Sequence, residues 1–159
     1  GINYEATTPW LVQFKRNPHP EYFYWEDYDM YGRHRSGFYN LRVNEPSRDN
    51  EQQRTCYEVS RSGNTIEITV KNVTYTTTES LYNIPMVFKK EFTPATKGNI
   101  TIFLNEDNID LTKPVTITVN GRTAFSGKVK PCTKAMIESC ALFFDPERVF
   151  PASVDIDIR

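Results

Sequence analysis

The stretch Val115-Thr116-Ile117-Thr118-Val119-Asn120-Gly121-Arg122, residues 115–122, decides the fold class. Apolar side chains occupy its odd positions up to residue 119, which is the period-two pattern of a strand with one buried face. Asn120-Gly121 comes next, and both residue types accept the positive φ of a two-residue hairpin turn. Residues 122–130 then return as a second strand. The stretch therefore predicts an antiparallel β-hairpin.

The rest of the chain repeats the pattern of short strands separated by turns. Val, Ile and Thr supply 39 of the 159 residues, a usage typical of strands. Segments 55–60 and 65–70 flank a polar turn, and residues 99–104 and 153–158 alternate in the same way. About eight short strands predict a mainly β chain, an antiparallel β-sandwich with one packed α-helix near the C-terminus.

The helix is predicted over Thr133 to Phe144. Thr133 can cap it, and Asp145-Pro146 marks its end. Met136, Ile137, Cys140 and Phe144 recur at the spacing of one helical face. We expect this apolar side to pack on the sandwich, so that an acidic residue in place of Ile137 would bury a charge.

The first 40 residues carry 11 of the 21 aromatic residues. Proline rings hold Asn17 and His19 in extended backbone, so residues 1–21 are expected to form an aromatic and Pro-rich linker and entry segment. Residues 22–25 and 38–43 both have the composition of strands, and a glycine-bounded turn separates them. We expect them to pair as an aromatic hairpin. The Thr-rich residues 74–98 are interpreted as an insertion.

The length and the charge of the chain limit the classes of function that it can have. A chain of 159 residues is the size of one domain, expected over residues 1–159. A formal net charge of −1 disfavours nucleic acid as a partner, because phosphate backbones are bound by an excess of basic residues. Apolar runs such as residues 141–144 are far shorter than the ~20 residues that span a bilayer, so no membrane span is expected.

The sequence contains no motif that predicts a reaction. The Gly-x-Ser-x-Gly elbow of α/β-hydrolases is absent, and the serines followed by glycine, Ser36, Ser62 and Ser126, lie in predicted turns or strands. His19 and His34 lie in polar or Pro-rich segments without a patterned partner. We therefore expect no catalytic residue in this chain and assign it as a non-enzyme.

Cofactors and metals are not expected either. The sequence has no Gly-rich phosphate loop and no zinc-binding spacing, and the acidic run at residues 106–110 lacks the glycine and glutamate of a calcium loop. Three cysteines, Cys56, Cys132 and Cys140, form no evident disulfide framework, and we expect buried free thiols.

The aromatic residues Trp10, Phe14 and Trp25 remain as candidates for a contact with a domain or a ligand. Exposed on a β-sandwich, such rings could stack on sugars. The alternative is that they lie in the core under the first hairpin.

Two segments resemble one protein family. The segments are residues 14–43 and 99–158. The residues that carry the resemblance are Phe14-Lys15-Arg16-Asn17-Pro18-His19-Pro20, Phe38-Tyr39-Asn40-Leu41-Arg42-Val43, Asp110-Leu111-Thr112-Lys113-Pro114-Val115, Val119-Asn120-Gly121, Phe125-Ser126-Gly127-Lys128-Val129 and Asp145-Pro146-Glu147-Arg148-Val149-Phe150-Pro151-Ala152. They resemble the β-rich module that follows the catalytic domain in secreted bacterial α/β-hydrolases of the prolyl-oligopeptidase and polyester-depolymerase-like esterase group.

The resemblance implies an accessory role. In that family the triad belongs to an upstream domain, so this chain would be a non-catalytic C-terminal module, secreted or periplasmic, that packs beside the active site of that domain. Residues 74–98 depart from the family pattern. A carbohydrate-binding module of a secreted glycan-degrading protein is the alternative function, and an interaction domain of a cell-surface protein is the third.

Overall fold

The structure of the chain is a computed structural model, and it describes residues 7–27, 29–30, 33–51 and 53–159. Residues 1–6 of the expected linker, with Tyr28, Tyr31 and Gly32, lie outside the described residues. The helical elements are α1, Thr7–Leu11; α2, Thr133–Phe143; and the 3-10 turn Pro146–Arg148. The strands are β1, Tyr22–Glu26; β2, Asp29–Met30; β3, Arg33–His34; β4, Gly37–Phe38; β5, Leu41–Glu45; β6, Arg54–Ser62; β7, Thr65–Leu81; β8, Ile84–Pro94; β9, Asn99–Leu104; β10, Val115–Val119; β11, Arg122–Gly127; and β12, Ala152–Asp157.

The strands form two main sheets, which confirms the predicted mainly β sandwich. One sheet has the order β1-β6-β7-β10-β11, with β8 also paired to β7, and the other has the order β12-β9-β5-β4. Among the described residues the two sheets hold ten strands, and β2 and β3 make a separate two-stranded ribbon. The estimate of about eight strands was low because it omitted the short β4 and the long β8.

Alternation along the strands places the core between the sheets. Side chains that alternate along β1, β6 and β7 face their counterparts from β5, β9 and β12, and those with the lowest exposure include Tyr57, Ile68, Val70, Leu41, Ile100 and Ile102. Burial of each aliphatic side chain of this kind contributes roughly 1.5–3 kcal/mol. Of the polar positions between them, Glu58 and Thr69 are half-buried and Thr101 is fully buried.

The expected aromatic hairpin of residues 22–25 and 38–43 does not form. β1 pairs antiparallel with β6, and β5 pairs with β9 in the other sheet. The two aromatic segments instead face each other across the core, where the ring of Trp25 stacks on that of Phe38 at 5.7 Å. Proximity along the chain suggested a hairpin, but stacking between the layers buries more of these rings than a pairing in one sheet would.

The Asn120-Gly121 turn is confirmed, with φ values of 48° and 78°. It joins β10 to β11, and β10 also runs parallel to β7, with Ile117 opposite Ile66 and Val119 opposite Ile68. Beyond residue 70 the same edge of β7 is taken over by β8. One edge of β7 thus carries two different neighbours in succession.

The segment interpreted as an insertion is a long hairpin. β7 has 17 residues and β8 has 11, and Tyr82 and Asn83 turn between them with φ values of 52° and 62°. Residues 76–94 are all exposed. We call residues 74–94 the arm, because they extend the six-stranded sheet beyond the sandwich.

α2 follows the β10–β11 hairpin and lies against the four-stranded sheet's side of the molecule. It begins after Cys132 and ends with Phe144 in the left-handed region, at φ 49°. The backbone N–H of Phe144 donates to the carbonyl of Cys140 at 3.0 Å and closes the last turn. In the described part of the chain, no helix has the length and apolar character needed to cross a bilayer.

Candidate functional site

Trp10 lies in α1, none of whose side chains is buried, and Phe14 follows three residues after the end of this helix. Trp10 and Phe14 are 56% and 62% exposed. Their rings contact each other edge to face, with centroids 4.8 Å apart. Leu11 and Val12 beside them are exposed as well. Residues 10–14 therefore present a group of large apolar side chains that the described part of the chain does not cover.

Arg16 anchors this segment to the end of α2. Its guanidinium pairs with the carboxylates of Asp145 and Glu147, and its Nη2 lies 3.1 Å from Asp145 Oδ1. The Arg16 guanidinium holds the pKa of the Asp145 carboxyl below its ordinary value. Asp145 also accepts the backbone N–H of Glu147 at 3.1 Å and so caps the 3-10 turn. The exposed aromatic pair is thus tied to one place on the body of the molecule.

His19 makes a second attachment of the Pro-rich segment. Its ring meets that of Phe150 edge to face at 5.8 Å, and its Nε2 lies 3.6 Å from a carboxylate oxygen of Asp107. Pro18, His19 and Pro20 are all half-buried. The last residues of the expected linker therefore pack on the sandwich.

The outer face of α2 is the second exposed apolar surface. Met136, Ile137 and Phe144 are exposed, with Ile137 at 63%. With Cys140, Ala141 and Val149 they line an open groove of about 570 Å³. Since this surface lies beside Asp145, it borders the point where Arg16 anchors the aromatic segment.

The expectation that this face of α2 packs on the sandwich is wrong. Ala135 and Ser139 are the buried residues of the helix. Their small side chains allow the helix to lie close to the body, and Ser139 Oγ accepts the backbone N–H of Phe150 at 3.0 Å. The ring of Phe143 also lies on this side and contacts those of Phe103 and Phe150, whereas Met136, Ile137 and Phe144 are left on the opposite side.

Trp25 does not belong to either surface. Its side chain is 7% exposed and stacks on Phe38 and on Tyr57, at 5.7 and 5.3 Å between ring centroids. It cannot contact another domain from the core, so its place among the contact residues is corrected. The alternation of Phe23 and Trp25 with Tyr22 and Tyr24 was the signal for this outcome.

A buried polar cluster surrounds Asp27. Its side chain is 2% exposed, and Arg48 Nη1 donates to Oδ2 at 2.9 Å. The Thr55 backbone N–H donates to the other oxygen. Burial raises the pKa of the Asp27 carboxyl, and these two donors oppose the shift. The cluster borders a cavity of about 130 Å³ that Ser36 and Val43 also line.

His34 lies in the same cluster, between two carboxylates. Its Nδ1 is 4.0 Å from Asp27 Oδ2, and its Nε2 is 3.2 Å from Glu51 Oε2. Neither ring nitrogen of His34 has a hydrogen bond of good geometry within residues 7–27, 29–30, 33–51 and 53–159. In those same ranges, no group of three or more histidine, cysteine or acidic side chains converges as metal ligands would.

Tyrosines on the outer face of β1 form a third surface feature. Tyr22 and Tyr24 are both about half exposed, and they lie on one face because they alternate with the buried Phe23 and Trp25. Tyr22 donates to Glu58 at 3.1 Å, and Tyr24 donates to Glu26 at 3.3 Å. The bond to Glu58 raises the pKa of Tyr22.

The expectation of buried thiols holds for one cysteine. Cys56 is buried, whereas Cys132 and Cys140 are exposed at the two ends of the outer α2 face. Sequence reasoning also missed the anchoring role of Arg16 and the outward position of Ile137. The small residues Ala135 and Ser139, four positions apart, were the available signal for the inner face of the helix.

Comparisons of the chain with protein-family models, with curated proteins and with solved structures each found no match. No relative therefore assigns a role to any of these surfaces.

Proposed function

We propose that this chain is a non-catalytic accessory module of a secreted bacterial hydrolase, which packs against an upstream catalytic domain and borders its active site. The observation that carries the proposal is the exposed Trp10–Phe14 pair, held in place by the ion pairs of Arg16. Exposed large aromatic side chains that cluster on a fixed support are typical of interfaces. The family resemblance of residues 14–20 supports an upstream domain as the partner.

The outer face of α2 extends the proposed interface. Met136, Ile137 and Phe144 continue the apolar surface from the anchor point of Arg16. A flexible tether would be rich in Gly and Ser, whereas the segment before β1 contains Pro18 and Pro20 and packs through His19. A stiff connection of this kind favours one fixed orientation of the two domains.

The test compares Trp10→Ala and Phe14→Ala in the present chain and in a longer protein that includes the preceding coding sequence. Truncation of an interface aromatic costs about 2 kcal/mol or more when the ring is central, so we expect both variants to lower the melting temperature of the longer protein only. They should also change its preference for large over small ester substrates. Tyr82→Ala, at the exposed end of the arm, is the matched control.

Unchanged melting and unchanged substrate preference in the longer protein would contradict the docking role. Hydrolysis of activated esters by the present chain, abolished by Ser36→Ala, Ser62→Ala or Ser126→Ala, would contradict the non-catalytic assignment.

A carbohydrate-binding module is the second candidate, and the paired tyrosines of β1 favour it. Residues two positions apart on a strand lie about 7 Å apart on one face, so Tyr22 and Tyr24 offer adjacent rings beside the carboxylates of Glu58 and Glu26. Affinity electrophoresis against soluble polysaccharides tests this function. Retardation that Tyr22→Ala and Tyr24→Ala abolish, and that Trp10→Ala does not, would favour it over docking.

A further inference from the structure

The outer edge of β8 is open. In the described ranges of the chain, β8 pairs with β7 and with no other strand. It is 11 residues long, and every residue of it is exposed. A long exposed edge strand offers unpaired N–H and C=O groups to another strand, and proteins ordinarily block such edges.

The alternation of hydrogen bonds identifies the residues that face this open edge. Ala95 N–H donates to the carbonyl of Val70 at 3.1 Å, so odd-numbered residues of this segment bond to β7. The backbone groups of Phe88, Lys90 and Phe92 therefore point away from β7. Pro94 has the same parity, and its missing N–H falls on the open side.

The two faces of the arm differ in character. Phe88, Lys90 and Phe92 lie on one face, together with Tyr75, whose ring contacts that of Phe88 at 6.1 Å. Lys89 and Glu91 lie on the opposite face and pair with each other at 2.7 Å. The open strand thus has an apolar face and a charged face.

The sequence of the open strand is complementary to itself. In antiparallel pairing about Lys90, Phe88 lies opposite the partner's Phe92, and Lys89 lies opposite the partner's Glu91. Each of these pairs occurs twice because of the two-fold symmetry. Aromatic pairs and pairs of opposite charge directly across a sheet are both stabilising.

This register sets the two central lysines opposite each other, and Glu26 offsets part of this like-charge repulsion in each copy. Lys90 Nζ lies 3.0 Å from Glu26 Oε2 and 5.1 Å from the centre of the Tyr75 ring. Glu26 also pairs with Arg54 Nη1 at 3.3 Å, so it offsets part of the charge of each lysine. A centre at residue 88 would instead set Lys89 opposite Val87, and a centre at residue 92 would set Lys90 opposite Pro94.

We propose that two copies of this chain associate through β8, which pairs antiparallel with β8 of the second copy over residues 87–93, centred on Lys90. The two six-stranded sheets then form one continuous sheet, and the aromatic side chains of both arms cover each other. The contact is isologous, so it closes as a dimer and leaves the surface around Trp10 and α2 free.

Sedimentation equilibrium of the 159-residue chain tests the proposal. We expect a dimer, and we expect Lys89→Glu and Glu91→Lys each to raise its dissociation constant about tenfold or more, because each turns two attractive cross-strand pairs into repulsive ones. The double variant Lys89→Glu/Glu91→Lys should restore wild-type association. Glu79→Lys, which makes the same charge change as Glu91→Lys outside the paired segment, should leave it unaltered.

A mixture of the two single variants gives the sharpest result. The Lys89→Glu chain is acidic at both positions and the Glu91→Lys chain is basic at both, so the mixture should form heterodimers at concentrations where each variant alone is mostly monomeric. A wild-type chain that stays monomeric at all micromolar concentrations overturns the proposal. So does a dimer that neither single variant weakens, or a mixture that forms no heterodimer.

Discussion

At the scale of single residues, Asn120 joins two strands to one edge of β7. Its backbone N–H donates to the carbonyl of Ile68 at 2.9 Å, and its side-chain Oδ1 accepts from Val70 N–H at 2.8 Å. The Nδ2 group donates to the carbonyls of Val70 and Ala95. The amide therefore fills the gap on this edge between the end of β10 and the end of β8.

Replacement of Asn120 by glycine should destabilise the fold. Glycine keeps the positive φ of the turn, so the change removes the side-chain hydrogen bonds without adding backbone strain. We expect a loss of about 1–3 kcal/mol, the cost of leaving partly buried backbone groups unpaired. Urea denaturation measures it.

Asn83→Gly is the matched control, because Asn83 also has a positive φ, at 62°, but lies at the exposed end of the arm. Its unfolding midpoint should equal that of the wild type. An equal midpoint for Asn120→Gly would show that the amide does not hold the junction.

Asp27 and Asp110 should give opposite pH dependences. Burial raises the pKa of Asp27, so the folded state binds this proton more tightly than the unfolded chain, and its contribution to stability falls as the pH rises above 3.8. Hydrogen bonds from Lys113 and Thr112 lower the pKa of Asp110 to about 2, so its contribution is present above 3.8 and is lost as the pH falls toward 2.

The measurement is the free energy of unfolding from pH 2 to 6. The free energy of unfolding of Asp27→Asn minus that of wild type should become more positive as the pH rises above 3.8, because the wild type loses stability there. The free energy of unfolding of Asp110→Asn minus that of wild type should become more negative as the pH rises from 2 to 3.8, because the wild type gains the contribution of the ionised carboxylate. The slopes are compared, because Asp27→Asn also leaves Arg48 without its charge partner. If the free energy of unfolding of all three proteins changed with pH in the same way, both pKa shifts would be contradicted.

At the scale of elements, α2 packs through its small residues. Ala135→Asp would bury an unpaired charge and should cost at least about 3 kcal/mol. Ile137→Asp is a change of the same charge on the exposed side, and it should alter the free energy of unfolding by no more than about 0.5 kcal/mol. Equal losses from the two variants in chemical denaturation would mean that the helix packs differently.

The same helix shows which parts of the fold were predictable from sequence. Its existence and its end follow from local signals, since the periodicity and Asp145-Pro146 act within a few residues. The predicted cap is wrong, because the N-cap is Cys132 and no side chain caps the helix. Its inner face does not, because both Ala135 with Ser139 and Met136 with Ile137 fit a helical stripe. Only packing against Phe150 decides between them. The β10–β11 hairpin was likewise predictable because Asn120-Gly121 acts locally.

Pairing between distant strands was less predictable. Residues 22–25 and 38–43 are both aromatic and close in sequence, so a hairpin was the expected arrangement. β1 instead pairs with β6, whose paired residues are 30 to 38 positions further along the chain. The position of Trp25 was unpredictable for the same reason. It is held in the core by Tyr57 and Phe38, which come from other strands, whereas Trp10 and Phe14 lie on the surface.

At the scale of the whole molecule, the sandwich should not need the outer part of the arm. Residues 76–94 are exposed, and Thr76 lies directly opposite Lys89 in a hydrogen-bonded position. Replacement of residues 77–88 by Asn-Gly would close β7 and β8 with a two-residue turn. We expect a folded protein whose free energy of unfolding, at concentrations where the wild type is monomeric, differs from that of the wild type by at most about 1 kcal/mol.

Thermal unfolding followed by circular dichroism measures this. The shortened chain should also no longer self-associate, because it lacks Phe88. A shortened chain that is unfolded, or that lacks a cooperative transition, would assign the arm a structural role in the sandwich.

The succession of β8 and β10 along one edge of β7 also affects the order of folding. The parallel pair of β7 with β10 closes a loop from residue 68 to residue 116, which is slow for a flexible chain. β7 and β8 are joined by a short turn and can zip first. Doing so removes residues 71–94, about half of that loop, and lowers the entropic cost of closing the remainder by about 0.6 kcal/mol. An arm that adds little to the stability of the finished sandwich can therefore hasten its assembly.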